Sequence, residues 1–257
     1  MNRIFITGDI HGNPGSAISR IYQIDNPTEE DKIIVCGDAG LEYGGIISAD
    51  TKYIMSTFPG EWIIMRGNHD NRYWRNHTEI SETYSSYIAR PQDGWIIENN
   101  YLIEKQYYNI KYVKDGGGLY HIDSYNFLFI PGAYSVDKYY RLNKNLPYEK
   151  EERLNWLEKE FLFTLAEEEF HKIDFVIGHT FPLKMEKYYQ DLFLSGLNES
   201  SIDKSMEQFL NIIMDTIEKH QSFKQYFGGH FHADRQLTEK YTMLYRDVVE
   251  VKDYVSM

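Results

Sequence analysis

The chain has 257 residues, 42% hydrophobic and 26% charged, with a formal net charge of −12. Those proportions are ordinary for a soluble globular protein and suit one large domain or two small ones. The acidic balance, with no run of Lys and Arg to form a basic face, argues against a grip on extended nucleic acid and favours a small or local substrate.

Taken in chain order, Arg3 to Thr7 is a short apolar run rich in β-formers that ends at Gly8-Asp9. It lacks the apolar core of a signal peptide, and no later stretch approaches the length of a membrane span, so the expectation is a cytoplasmic protein. A helix is expected from about Pro14 to Ile24, with Pro14 in its first turn. Lys32 to Cys36 reads as a strand ending at Gly37-Asp38. A helix from about Ala49 to Phe58 leads to a strand from Trp62 to Arg66, ending at Gly67-Asn68. This β-α-β-α-β alternation predicts an α/β fold with a parallel sheet, whose ligands bind beyond the carboxyl ends of the strands.

Asn71 to Asn100 is polar and aromatic and reads as loops with one irregular helix. Strand-like runs around Tyr101 to Ile103, Tyr107 to Val113 and Tyr125 to Ile130 suggest an antiparallel or mixed second sheet. Leu146 to Glu169 reads as a helix with Pro147 near its start. Asp174 to Ile177 is a buried strand ending at Gly178-His179, and Asp203 to Lys219 is an amphipathic helix. Gln225 to Gly228 leads into Gly229-His230-Phe231-His232, and Tyr241 to Asp253 supplies closing strands. With no linker or repeat, a single domain over 1–257 is expected, with a variable inserted segment at about 71–145. The single cysteine, Cys36, excludes an intrachain disulfide and reads as a small buried apolar residue.

Five glycine-anchored motifs stand at these strand ends: Gly8-Asp9-Ile10-His11-Gly12, Gly37-Asp38, Gly67-Asn68-His69-Asp70, Gly178-His179 and Gly229-His230-Phe231-His232. They hold five of the nine histidines. Imidazole, carboxylate and amide oxygen together suit Mn, Fe, Zn, Co or Ni better than Mg or Ca. Asp9 and His11, two positions apart, would point the same way in regular strand geometry and share one ion. Asp38 has two oxygens and could bridge two cations, and Asn68 offers a neutral amide oxygen. His69 is then free to act as general acid, with Asp70 orienting its ring. Any one of these motifs alone is weak evidence, since each has an ordinary reading as a turn or a hydrogen-bonded core histidine. Five of them in series are not.

This order of motifs resembles the calcineurin-like metallophosphoesterase superfamily from residue 8 to residue 232. The resemblance implies a four-layer α/β/β/α sandwich of two mixed β-sheets flanked by helices. It implies that Asp9, His11, Asp38 and His232 bind one metal and that Asp38, Asn68, His179 and His230 bind the other. It places His69 on the substrate phosphate or leaving oxygen, supported by Asp70. A hydroxide held between two divalent transition-metal ions would attack phosphorus, with Mn the ion expected to support activity in vitro. In the protein-phosphatase branch the second motif continues into Asp-Arg-Gly, whereas here Asp38 is followed by Ala39-Gly40-Leu41-Glu42. That departure favours the phosphodiesterase-like branch and a phosphodiester or nucleotide-type small substrate. A phosphomonoesterase or protein phosphatase of the same fold is the alternative, and a non-catalytic metal-binding scaffold a further one.

Arg72, Tyr134, Lys138 and Arg141 are candidate substrate-binding residues. The cations could replace the missing arginine, and Tyr134 could stack on a base. Gly116-Gly117-Gly118 lacks the Lys-Ser/Thr of a nucleotide loop and reads as a turn. His77, His121, His171 and His220 read as structural or surface residues.

Overall fold

The computed structural model describes residues 2–83, 86–192, 202–220 and 222–255. Its first half builds one sheet. β1 (Ile4–Thr7) is followed by α1 (Pro14–Ile24), and β2 (Lys32–Val35) by a small hairpin of β3 (Glu42–Tyr43) and β4 (Ile46–Ile47). Then come α2 (Ala49–Ser56), β5 (Glu61–Ile64), the short α3 (Tyr73–His77), a ribbon of β6 (Thr78–Thr83) and β7 (Ser86–Pro91), and β8 (Trp95–Glu98), β9 (Tyr101–Glu104) and β10 (Ile110–Tyr112). Strands β1, β2, β5 and β10 run parallel, because a helix or a long crossover separates each from the next.

The second half builds another sheet. It contains β11 (Gly118–Ile122), β12 (Tyr125–Ile130), α4 (Lys138–Asn143), α5 (Trp156–Glu169), β13 (Phe175–Gly178), α6 (Ser205–Ile217), β14 (Gln225–Gly228), β15 (Arg235–Thr238) and β16 (Tyr241–Met243). The last strand, β17 (Val248–Glu250), returns to pair antiparallel with β1. The strand orders are β17-β1-β2-β5-β10-β9-β8 and β11-β12-β13-β14-β16-β15, and both sheets are mixed.

Alternation along the strands explains the layering. Ile4, Ile6, Ile34, Cys36 and Ile63 from the first sheet pack against Phe127, Phe129, Phe175 and Ile177 from the second. The residues between them face outward: Phe5, Ile33, Val35 and Trp62 cover Ala17 and Ile21 of α1 and Met55 of α2. On the other side Leu128, Ile130 and Val176 meet Leu162 of α5 and Leu210 of α6. Each central strand is buried on both faces and so reads as a continuous apolar run. The result is helices, sheet, sheet, helices, the four-layer sandwich.

Several expected elements differ. The runs at Tyr101 and Tyr107 belong to the first sheet, not the second. β10 pairs with β5, and the Asn109 amide beside it donates to the carbonyls of Met55, Phe58 and Gly60. Lys105–Tyr107 is a 3-10 turn, which shortens the expected strand. The polar stretch after Asn71 contains α3, the β6–β7 ribbon and β8. Among the described residues the ribbon's two strands pair with each other alone, and its sequence shows no apolar alternation. Helix α5 starts at Trp156 rather than Leu146. Asn155 and Glu158 form a reciprocal capping box there, and the carbonyls of Glu151, Glu152 and Arg153 are tied to Arg66 and Arg72 instead of to a helix.

The start of β2 is tied to β1 by an ion pair. Buried Asp31 accepts from the Arg3 guanidinium and backbone, and from the Thr28 N–H at 2.8 Å. Burial alone would raise the Asp31 carboxyl, but the Arg3 and Thr28 hydrogen bonds outweigh it and hold it below its ordinary 3.8. A carboxylate lowered on folding stabilises the fold above its unfolded value and loses that contribution as pH falls through its folded value. Asp31→Ala should cost about 3–5 kcal/mol in urea unfolding. Asp31→Asn should show a shallower loss of stability below pH 3.8 than the parent chain.

Candidate metal centre

All five motifs lie just past the carboxyl ends of β1, β2, β5, β13 and β14. Backbone hydrogen bonds stitch their loops together. His11 and Gly12 donate to the carbonyls of Asp38 and Ala39 at 2.9 Å each, and Gly229 donates to the His179 carbonyl at 3.0 Å. Two groups of side chains result. In the outer group Asp9 Oδ2 lies 3.3 Å from His232 Nε2 and 3.8 Å from His11 Nε2, and the two imidazole nitrogens are 2.8 Å apart. In the inner group Asn68 Oδ1 lies 2.7 Å from His179 Nε2 and 2.9 Å from His230 Nδ1, with Asp38 Oδ1 3.5 Å from His179 Nε2. Asp9, Asp38 and His179 themselves cluster within 4.8 Å, which joins the two groups.

The backbone adopts costly conformations to achieve this. His11, Asp38, His230 and His232 have φ of 42°, 49°, 72° and 51°. Left-handed geometry at a non-glycine residue costs about 1–3 kcal/mol and persists only where the surroundings impose it. The convergence of Asp9 and His11 therefore comes from a turn past the end of β1, not from strand alternation. Two glycines permit the close approach of the carboxylates: a Cβ on Gly67 would lie 2.0 Å from Asp38 Oδ1, and one on Gly229 would lie 2.0 Å from Asp9 Oδ1.

Hydrogen bonds aim the donor atoms. His179 Nδ1–H donates to the Cys36 carbonyl at 2.8 Å, which presents Nε2 to the centre. Asn68 Nδ2 donates to Ser135 Oγ at 2.9 Å, which turns Oδ1 inward. Such outer contacts fix tautomer and rotamer at metal sites. The electrostatics fit cations. Burial opposes charge on Asp38, yet His179 holds its carboxyl well below the usual range. His179 in turn, against its own burial, is pushed up to about 9 by Asp38 and Asp9. The two buried carboxylates that hold this proton would equally favour a divalent cation in its place. Burial and the His179 charge keep His230 well below the ordinary imidazole value, hence neutral and able to ligate. These nitrogen and oxygen donors could hold two borderline divalent metals.

A sequence profile of the calcineurin-like phosphoesterases matches residues 2–234. The chain belongs to the calcineurin-like phosphoesterase family. It is thus a metal-dependent hydrolase acting on phosphoric ester bonds. No curated protein matches it in sequence. A solved protein of unknown function from Aquifex aeolicus is 11% identical, with 98% of this chain and 97% of that one covered, at a TM-score of 0.43. Phosphopantetheinyl hydrolase from Mycobacterium tuberculosis is also 11% identical, with 95% and 90% covered, at a TM-score of 0.43.

In this phosphoesterase His69 sits at the edge of the centre, its ring centroid 6.2 Å from that of His11. Burial and the Arg141 charge lower it from the ordinary imidazole value against the pull of Asp38. Among the described residues the His69 ring is hydrogen-bonded to Tyr43 rather than to Asp70. The buried Asp70 carboxylate accepts from the backbone N–H groups of Ala39, Gly40 and Gly67 and from the Tyr73 hydroxyl, clamping the second motif to the third. Short loops at adjacent strand ends leave three N–H donors that the Asp70 carboxylate satisfies together.

Three of the four substrate-binding candidates are engaged elsewhere. Arg72 is buried, paired with Glu158, and donates to the carbonyls of Glu151 and Arg153. Tyr134 is buried, with Lys138 and Arg153 over its ring, and Lys138 also lies 5.1 Å from the Tyr148 ring. Arg141, paired with Asp137, lies over the Tyr43 ring and is the one beside His69. His77 is structural, held by Glu42 at 2.8 Å and stacked on Trp95. Tyr43, Ser135 and Tyr245, which stacks on His232, touch site residues without having stood out in the sequence. None lies in a motif, though Ser135 immediately follows Tyr134.

Two outcomes follow. Gly67→Ala or Gly229→Ala should weaken metal binding by about 10–100-fold, read by metal titration, while circular dichroism keeps its native shape. Arg72→Ala should lower stability by about 2–3 kcal/mol, because it removes the cation paired with Glu158 and the donor to two carbonyls, yet leave kcat/KM of the metal-loaded enzyme nearly unchanged.

Proposed function

We propose that this enzyme hydrolyses a phosphodiester or nucleotide-type small molecule at a centre of two metal ions. Asp9, His11, Asp38 and His232 would hold one ion, and Asp38, Asn68, His179 and His230 the other. The observation that carries the reading is the assembled set of seven donors with His69 beside it. Two bound divalent ions supply an activated nucleophile and neutralise charge on the phosphate oxygens. The chain's own residues do the rest. The buried Asp9 and Asp38 would anchor the ions at the sheet ends, and His69 would deliver a proton to the departing oxygen.

Three features support a small diester. The second motif does not continue into Asp-Arg-Gly, since Asp38 is followed by Ala39-Gly40-Leu41-Glu42. The net charge of −12 disfavours a polyanion partner. A cleft of about 290 Å³ opens beside the outer group, lined by Asp9, His11, Asn13, Ser16, Tyr245 and Arg246. It offers one cation and one aromatic ring to whatever is esterified to the phosphate. Manganese is the ion we expect to restore activity in vitro, and the cytoplasm is the compartment we expect.

With Mn-loaded protein, bis-p-nitrophenyl phosphate should be cleaved faster than p-nitrophenyl phosphate. Cleavage of the monoester alone would refute the diester reading. Asp38→Asn should abolish turnover and reduce metal content. On an ester with a basic leaving group, His69→Asn should lower kcat by about 10²–10⁴-fold with metal content unchanged, and loss of metal in that variant would remove His69 from its assigned role.

A further inference from the structure

The His69 ring needs a partner at Nδ1 if its other nitrogen is to serve in catalysis, and Asp70 does not provide one. Tyr43 does. Its hydroxyl lies 3.3 Å from His69 Nδ1, and the two rings meet edge to face with centroids 5.3 Å apart. The same hydroxyl donates to the Pro147 carbonyl at 2.7 Å. A phenol has one proton and a carbonyl has none to give. With that proton committed to Pro147, the Tyr43 oxygen can only accept from His69. Burial pushes the Tyr43 hydroxyl up to about 12, so the proton stays in place at neutral pH.

Tyr43 is itself held rigidly. It sits on β3, and the two-residue turn to β4 is Gly44-Gly45, with φ of 58° and 82°. Two positive φ values are what a tight hairpin of this length demands. A Cβ on Gly44 would lie 2.3 Å from Pro147 Cβ, so the turn and the proline loop are in direct contact. At the base of the hairpin Glu42 is buried and bonded to Lys52 at 3.1 Å and to His77 at 2.8 Å. The Arg141 guanidinium covers the Tyr43 ring at 5.6 Å. The Lys52-Glu42-His77 cluster at the base of the hairpin is thus the footing of one active-site side chain.

We propose that Tyr43 is the positioning residue of His69, holding its Nδ1–H so that Nε2, on the opposite edge of the ring, is the nitrogen that takes up a proton and, in the imidazolium, gives it to the leaving oxygen. This rests on the reading of His69 as proton donor. As the P–O bond breaks, the leaving oxygen keeps the bonding pair and takes the Nε2 proton. His69 is left neutral with Nδ1–H still bonded to Tyr43, and water restores the proton in the next cycle. A positioning role of this kind matters most when the leaving group is basic, because an acidic phenol departs without help.

The test compares bis-p-nitrophenyl phosphate with diphenyl phosphate, or the corresponding monoesters if only these are cleaved, in wild type, Tyr43→Phe and His69→Asn. Tyr43→Phe should lower kcat on the phenyl ester at least tenfold and on the p-nitrophenyl ester less than threefold, with KM and metal content unchanged. Nitrogen-15 spectra of the zinc-loaded protein should show His69 as the Nδ1–H tautomer in wild type and as a mixture of tautomers in Tyr43→Phe. Equal losses on both esters, or an unchanged His69 tautomer in the variant, would overturn the proposal. If His69→Asn leaves the phenyl ester unaffected, the proton-donor reading fails and the rate half of the proposal fails with it. The tautomer spectra would then still show whether Tyr43 holds the ring.

Discussion

Asp9 and Asp38 are buried carboxyl groups brought within a few ångströms of one another, and this is the constraint on which the structure turns. A pair of charges removed from water is expensive unless opposite charge lies among them. The chain answers with four imidazoles and an amide oxygen arranged around the pair. Five strands from two sheets must end at the same level for this to be possible. The layering is thus more than a way to bury apolar surface: it lets loops from β1, β2 and β5 meet loops from β13 and β14 over the seam between the sheets. The left-handed backbone at His11, Asp38, His230 and His232 is the local cost of that meeting.

Much of this was legible in the sequence, for identifiable reasons. The central strands are buried on both faces, so Ile33-Ile34-Val35-Cys36 and Phe175-Val176-Ile177 read as apolar runs, and each ends at a glycine where the chain leaves the sheet. The candidate ligands were legible because histidines and carboxylates stood together at those ends. What was not legible depends on distant partners. The hairpin β6–β7 has a polar sequence. The start of α5 is set by a capping box and by arginines some 80 residues earlier in the chain. The structural partners of Arg72 and Asp70 were hidden for the same reason. A charged residue beside a metal motif looks functional in one dimension, and only the fold shows that Glu158 and three backbone N–H groups occupy these two side chains.

Tyr43 illustrates the converse. Nothing in Leu41-Glu42-Tyr43-Gly44-Gly45 suggests a role in proton transfer. Its contribution appears only when Pro147, 104 residues away, takes the hydroxyl proton and leaves the oxygen as an acceptor. Second contacts of this kind, together with Ser135 on Asn68 and the Cys36 carbonyl on His179, decide which atoms face the centre. Supporting residues hold a site to the tolerance that catalysis requires, and they are spread along the chain because their task is geometric.

The central claim is that Asp38 is shared between two ions at one site. The most direct measurement is anomalous diffraction from a crystal of the Mn-soaked protein, recorded at the manganese edge. The account predicts two peaks about 3.5–4 Å apart, as in other two-metal sites, with an Asp38 oxygen touching both. One ion should lie against Asp9, His11 and His232 and the other against Asn68, His179 and His230. A single peak, or two peaks that do not share Asp38, would contradict it.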